Sequence, residues 1–200
     1  MQVKSLYPHG YHKTDKNGRP IYIELISKVN LTDLFKITTQ ERVMKYYIKG
    51  YERLMNHIFP SCSRAAGKLV EQSTTILDMN GIGMGILVGK TKEFVKIASD
   101  IGQNYYPEML GDMFLINTSF MFSAVYSIVS GFIDEKTRKK IHVEKSGYAK
   151  KLLELVDADN LPSFFGGKCT CPNIEGGCLY ADIGPWNPEG GMNNLINGDN

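Results

Sequence analysis

Residues 113–133 run for 21 positions without a charge, and no other feature constrains the chain as strongly. A stretch of that length either crosses a bilayer or is covered by the rest of the protein. Asn117, Thr118 and Ser119 interrupt it early, and Ser123, Ser127 and Ser130 add hydroxyls. The pattern therefore reads as a buried strand over 113–117, a loop, and a buried helix over 120–129.

The same alternation continues outside that stretch. Residues 21–26, 69–78 and 141–144 are β-prone and predict three further strands. Residues 7–20 form a turn-rich opening, with Asn17-Gly18 as a hairpin turn. Thr38 followed three residues later by Glu41 is a capping box. Val43, Met44, Tyr47, Ile48, Tyr51, Leu54, Met55 and Ile58 then keep helical spacing, and Pro60 is expected to end that helix. Further helices are predicted over 87–102 and 147–156, and Asp134 is expected to cap a short charged helix through Lys140. Strands alternating with helices predict an α/β fold with a mostly parallel sheet, because parallel strands need helical crossovers. Two hundred residues of ordinary globular composition suit one domain over 1–189, with 190–200 as a loose tail.

Net charge is only +2, which argues against a dedicated nucleic-acid binder. The charge is unevenly spread. Residues 136–151 carry seven bases against Glu144, whereas 152–200 carry seven acids against Lys168. A basic patch on a near-neutral chain can face an anionic membrane or a phosphate, and a solvated helix face is the plainer reading. The N-terminus has no apolar signal region. Four cysteines are too few for a disulfide scaffold. Cys169, Cys171 and Cys178 offer three thiolates, but no histidine pair or second CxxC completes a zinc set. No metal is expected on that ground, and the thiols read as reduced. His9 and His12 read as surface residues of the opening turn.

No GxSxG elbow and no GxxxxGK(S/T) loop occur, which argues against an α/β-hydrolase nucleophile and a P-loop. Gly81-Ile82-Gly83-Met84-Gly85 with Gly89 follows a predicted strand and precedes a helix, as a dinucleotide fingerprint would. Ile86 occupies its third glycine position, and Asp100 falls at a helix end, so a nucleotide-dependent oxidoreductase is the weakest reading. Ser73 and Thr75 alternate on one strand and point the same way. Their hydroxyls suit a pocket for a phosphate or a choline-like head group, or plain cross-strand pairing. Tyr11, Tyr22, Tyr47, Tyr51, Tyr105 and Tyr106 add phenols to an apolar core, as fits a cavity with a polar mouth.

Five separated motifs occur in order over 7–188, nearly the whole chain. They are Tyr7-Pro8 with Tyr11-His12-Lys13-Thr14-Asp15-Lys16-Asn17-Gly18-Arg19-Pro20; Cys62-Ser63-Arg64-Ala65-Ala66-Gly67; Gln103-Asn104-Tyr105-Tyr106-Pro107-Glu108; Asn160-Leu161-Pro162 with Phe165-Gly166-Gly167; and Asp182-Ile183-Gly184-Pro185-Trp186. Together they resemble the CRAL-TRIO domain of the yeast-type phosphatidylinositol/phosphatidylcholine transfer proteins. The resemblance implies a sheet floor and helical walls around a deep apolar pocket that holds one phospholipid, with a movable helix as gate. It implies non-covalent lipid exchange at membranes, with no cofactor, and that the chain is not an enzyme. Matched residue by residue, choline-lipid contacts fall on Tyr11, Tyr22, Tyr51, Ser73 and Thr75. Inositol-lipid contacts at the gate fall on Thr137 and Lys140, with Glu108 as partner of the lysine. The segment 134–140 is then the gate helix, and the uncharged 120–133 its apolar approach.

Three departures from the resemblance stand out: the family's N-terminal helical region is expected to be absent, Met109 replaces the usual Arg, and the gate segment is unusually basic. The expected partners are a phospholipid, a transient membrane surface and a lipid kinase, for a monomer that is cytoplasmic and peripherally membrane-associated. The alternative function is a lipid sensor that presents its ligand to the kinase.

Overall fold

The structure is a computed structural model that describes residues 2–82 and 89–191. A five-stranded sheet has its strands in sequence order: β1 (His9–Thr14), β2 (Pro20–Glu24), β3 (Ser73–Asp78), β4 (Leu110–Ile116) and β5 (Ile141–Val143). β1 and β2 form an antiparallel hairpin, and β2 to β5 are parallel. The helices are α1 (Gln2–Leu6), α2 (Leu31–Ile37), α3 (Gln40–Arg53), α4 (Phe59–Ala66), α5 (Gly89–Tyr105), α6 (Phe122–Val129), α7 (Glu135–Arg138) and α8 (Tyr148–Leu155).

The predicted α/β class and parallel sheet match this architecture. Several local expectations do not. The opening turn contains a real strand, β1, whose residues alternate between two buried environments. Helices α1 and α2 have no counterpart in the sequence reading. The cap of α3 is Thr39, whose side chain accepts from the Arg42 N–H, so Thr38 lies one residue outside. Pro60 does not end the helix. Instead, residues Leu54–Ile58 form a π-helical turn, in which the Phe59 N–H donates to the Leu54 carbonyl, and α4 continues with Pro60 in its first turn. Proline lacks the N–H that an α-helix needs there, and its ring crowds the carbonyl four residues back. A wider turn relieves both problems and rotates the helix face. Ile48 and Met55, expected inside by periodicity, are exposed. Residues 192–200 of the expected tail, and residues 83–88, which hold Gly83 and Gly85 of the glycine run, lie outside the described residues.

The two faces of the sheet are treated differently. Ile21 and Ile23 of β2, Ile76 of β3, and Phe114 and Ile116 of β4 meet Leu152 and Val156 at α8 and Leu161, Phe165 and Leu179 beyond it. That is the main core. On the opposite face, three smaller clusters stand apart. One joins α1, α2, α3 and α5 around Tyr7, Leu34, Val43 and Phe94. A second joins the π turn and α4 to Trp186. The third packs α6 on Leu115 through Phe122 and Val125. They leave the middle of this face uncovered.

A polar chain crosses the other end of the sheet. The Asp15 carboxylate is buried and accepts from the Asn17 and Arg19 N–H groups at 2.8 and 2.9 Å, and from the Thr74 hydroxyl at 2.8 Å. Arg19 bridges Asp15 at 2.7 Å and Asp112 at 2.8 Å, and Asp112 meets His142 at 2.8 Å. The chain thus ties the hairpin to β3, β4 and β5. Gly111 is bypassed in the β3–β4 register, and a Cβ there would strike the Arg19 guanidinium. Replacing Asp15 with Asn should cost about 2 kcal/mol, because Arg19 loses a charged partner and the carboxylate's several acceptor sites cannot all be replaced. Urea denaturation measures this; a loss below about 0.5 kcal/mol with unchanged slope would contradict the role given to Asp15.

Candidate functional site: a cavity over the sheet

The uncovered face of the sheet floors a cavity of about 1190 Å³. That exceeds the roughly 300–1,000 Å³ of ordinary small-molecule sites. Strand alternation builds the floor. Thr74 and Ile76 point into the core side, so Ser73, Thr75 and Leu77 point into the cavity. Tyr22 lies opposite Thr75 in the parallel register, with Met113 on its other side, and Tyr11 lies opposite Tyr22 in the hairpin. Helix α3 contributes Tyr46, Tyr47 and Tyr51 from one wall, and α5 contributes Phe94, Val95, Ala98 and Gly102 from another. Gly102 matters by its size, since a Cβ would press on the Tyr51 hydroxyl at 3.0 Å.

All eight residues that the resemblance singled out line this one cavity: Tyr11, Tyr22, Tyr51, Ser73, Thr75, Glu108, Thr137 and Lys140. They fall into two groups. The first five lie on the floor and the α3 wall. There the Tyr11 and Tyr22 rings sit 5.2 Å apart, and the Tyr51 hydroxyl meets that of Tyr47 at 3.1 Å. Tyr51 also stacks on Tyr106 at 4.4 Å. Burial raises the pKa of Tyr11, Tyr22 and Tyr47, so each remains a neutral hydroxyl. Tyr105, also read as a core phenol, is exposed instead.

The second group stands at the rim. The Lys140 ammonium reaches the Glu108 carboxylate at 3.0 Å, with Lys136 at 3.6 Å. The hydrogen bond and charge of Lys140, then Lys136, hold the Glu108 carboxyl below the ordinary range. Asp134 caps α7 as expected, its side chain accepting from the Thr137 N–H. The Asp134 N–H in turn donates to the Gln103 side chain at 2.7 Å, fastening α7 to α5.

Two polar residues of the cavity had no role in the sequence reading. Glu24 accepts from the Tyr22 hydroxyl at 3.0 Å. Burial pushes its carboxyl up to about 7, against hydrogen bonds from Tyr7 and Tyr22 that pull it down. The signal was available, because Tyr22 and Glu24 are two apart on a strand and share a face. Arg53 makes a two-point contact with Asp182, at 3.1 and 2.8 Å, and the Trp186 indole donates to the Asp182 carbonyl at 3.1 Å. Asp182 therefore lines the cavity, with Trp186 packed behind it against Tyr11.

The histidine expectation is wrong. His9 is buried at the cavity wall, its Nδ1–H donating to the Tyr7 carbonyl (2.8 Å) and its Nε2 accepting from the Tyr46 hydroxyl (3.2 Å), and burial followed by Lys4 lowers it to about 4. His12 is wholly buried on the opposite face of β1, among Cys169, Cys171 and Cys178. No helix among the described residues is long and apolar enough to cross a membrane.

The sheet floor, with its hydroxyls, and the helical walls thus enclose one large, mostly apolar cavity. The CRAL/TRIO domain family matches residues 4–167, and the chain belongs to that family. It is 45 % identical over 191 residues to the Sec14 cytosolic factor of Schizosaccharomyces pombe, covering 96 % of this chain and 65 % of that protein. It is 47 % identical over 187 residues to the SEC14 cytosolic factor of Kluyveromyces lactis, covering 94 % and 62 %. The phosphatidylinositol/phosphatidylcholine transfer protein SFH7 of Arabidopsis thaliana is 45 % identical over 189 residues, covering 94 % and 34 %. The chain thus spans less than two thirds of the length of these curated relatives. The crystal structure of Sfh5 shares the fold, with a TM-score of 0.50 at 18 % identity over 76 % of this chain and 51 % of that one.

Glu24 gives the cavity a pH signature. Between about 4.5 and 7 the unfolded carboxyl is ionised while the folded one keeps its proton. The folded state then binds more protons, so this group's contribution to stability falls as pH rises through that window. Stability of the unaltered chain relative to Glu24→Gln should decline by up to about 1.4 kcal/mol per pH unit there. Parallel pH profiles for the two proteins would contradict a buried, protonated Glu24.

Proposed function

We propose that the chain binds one phospholipid and exchanges it between membranes, without covalent chemistry. The observation that carries this reading is the cavity itself: about 1190 Å³, apolar through most of its depth, with hydroxyls on its floor and a lysine–glutamate pair at its rim. The names of the relatives, as cytosolic factors and as phosphatidylinositol/phosphatidylcholine transfer proteins, support it.

Removing acyl chains from a bilayer costs about 0.8 kcal/mol per methylene, so tens of kcal/mol for a whole lipid. A few hydrogen bonds cannot offset that. An apolar cavity returns nearly all of it, which leaves exchange close to isoergic and puts the barrier in opening the mouth. Head-group contacts then choose the lipid. A buried phosphate needs hydroxyl or cationic partners, since an unpaired charge there is very costly. In this reading Ser73, Thr75, Tyr11, Tyr22 and Tyr51 receive a choline lipid, whereas Thr137, Lys140 and Glu108 receive an inositol lipid. No residue in this scheme performs a reaction, and no cofactor enters it.

The segment 134–140 acts as the gate, with release of the Lys140–Glu108 pair as part of its opening. Its surroundings suit a cytoplasmic protein that touches membranes only transiently. Phe120 is 86 % exposed and Met121 is 60 % exposed beside α6, whose buried residues are only Phe122 and Val125. Lys136 and Lys139 stand exposed on the gate segment. Each basic residue near an anionic surface adds about 1 kcal/mol of attraction.

The double variant Ser73→Ile with Thr75→Ile should abolish loading of phosphatidylcholine from vesicles while the circular dichroism spectrum stays native. Unchanged loading removes the head-group assignment. Lys140→Ala should reduce phosphatidylinositol loading more than phosphatidylcholine loading; equal losses would count against a separate inositol-lipid site at the rim.

A further inference from the structure

We propose that His12, Cys169, Cys171 and Cys178 bind one zinc ion, which fastens the C-terminal segment to β1 on the side of the sheet away from the lipid cavity.

The four ligand atoms lie within 4.8 Å of one another. In a tetrahedral site with Zn–S near 2.3 Å, two thiolates stand about 3.8 Å apart. The Cys169 and Cys171 sulfurs are 3.7 Å apart, which is that separation and well beyond a disulfide bond of about 2.05 Å. Drawing the widest pair to tetrahedral spacing requires shifts of about 1 Å, within reach of side-chain rotation.

His12 supplies an independent observation. It is wholly buried, and among the described residues its two ring nitrogens are the buried side-chain polar atoms with no hydrogen-bond partner. An unpartnered imidazole in a core is costly. Ligation of a metal by one nitrogen satisfies that atom and explains why the ring is turned toward three sulfurs. Tyr11 and His12 are consecutive on β1, so their side chains leave opposite faces. Tyr11 therefore lines the cavity while His12 faces the cysteines.

The backbone around the cysteines is shaped to bring them together. Cys171 has a left-handed conformation at φ 46°, and Gly176 and Gly177 turn the chain with φ of 80° and 63° just before Cys178. The Cys178 thiol reaches back to the Cys169 carbonyl at 3.3 Å. Thiolates select soft or borderline metals, and a closed set of three thiolates with one imidazole is the donor set of a structural zinc site. Binding displaces the three thiol protons, and no open coordination position is left for chemistry.

The placement suggests what the ion does. The Lys13 N–H donates to the Ile183 carbonyl at 2.6 Å, so β1 and the segment beyond Cys178 are already neighbours. That segment carries Asp182 and Trp186, which hold Arg53 and touch Tyr11 at the cavity wall. A zinc clip at 169–178 would anchor the wall from behind.

Elemental analysis of the purified full chain, expressed with zinc in the medium, should find about one zinc per chain. Cobalt(II) loaded into chelator-stripped protein should give the thiolate charge-transfer and tetrahedral d–d absorption bands. Chelation should lower Tm by more than about 5 °C, and added zinc should restore it. Cys171→Ser should drop zinc below about a tenth of a mole per chain, while Cys62→Ser, a buried thiol outside the cluster, should keep it. Zinc-free protein that also gives no cobalt bands overturns the proposal. So does iron or copper in place of zinc, or a Cys169–Cys171 disulfide found by mass in freshly purified protein.

Discussion

The buried carboxylate of Asp15 is the group on which the rest of the sheet depends. It closes the hairpin turn through the Asn17 and Arg19 N–H groups and holds the Thr74 hydroxyl across to β3. A strand has a period of two, so fixing Thr74 on one face fixes Ser73 and Thr75 on the other. Arg19 extends the same register to β4 through Asp112, and His142 extends it to β5. A slip of one residue would turn the hydroxyls of β3 into the apolar core and its Ile76 into the cavity. The chemistry of the cavity floor is thus set by an ion lattice that never touches the cavity.

The cavity exists because the helices on that face pack on each other more than on the sheet. The core side is filled by α8 and the segment after it, while the other side has three separate clusters around its margin. A large apolar hollow is tolerable only if something apolar fills it, and an acyl chain does that without asking for hydrogen bonds. The polar groups of the floor and the α3 wall include tyrosines in mutual contact, a serine, a threonine, and Glu24, whose carboxyl burial pushes up to about 7. Charged side chains stand at the Lys140–Glu108 pair of the rim and the Arg53–Asp182 pair of the wall, and Lys4, Lys28 and Lys49 also line the cavity.

Much of this was legible in the sequence, and the failures have physical causes. The period-two placement of Ser73 and Thr75 and the Asp134 cap came from local rules that tertiary contacts did not override. β1 looked like a turn because its sequence is rich in polar and histidine residues, yet those residues are buried by partners far along the chain. Pro60 was read as a stop because the rule assumes a regular α-helix, and the π turn before it removes the conflict. The three cysteines looked incomplete because the fourth group comes from β1, at the other end of the sequence. Of the recurring motifs, several proved to be framework: Ser63 accepts from the Val70 N–H at 2.9 Å, Gly67 ends α4 in a left-handed conformation, and Asn160 reaches the Thr14 carbonyl at 3.0 Å. Only a resemblance across the whole chain, and not spacing, grouped Glu108 with Lys140.

The central claim is that this cavity holds a phospholipid. Native mass spectrometry of the purified chain, followed by extraction and identification of what it carries, tests that claim most directly. The account predicts one phospholipid per chain, retained through purification and exchangeable with vesicle lipid. A chain that is empty as isolated, and stays empty after incubation with mixed phosphatidylcholine and phosphatidylinositol vesicles, would contradict it.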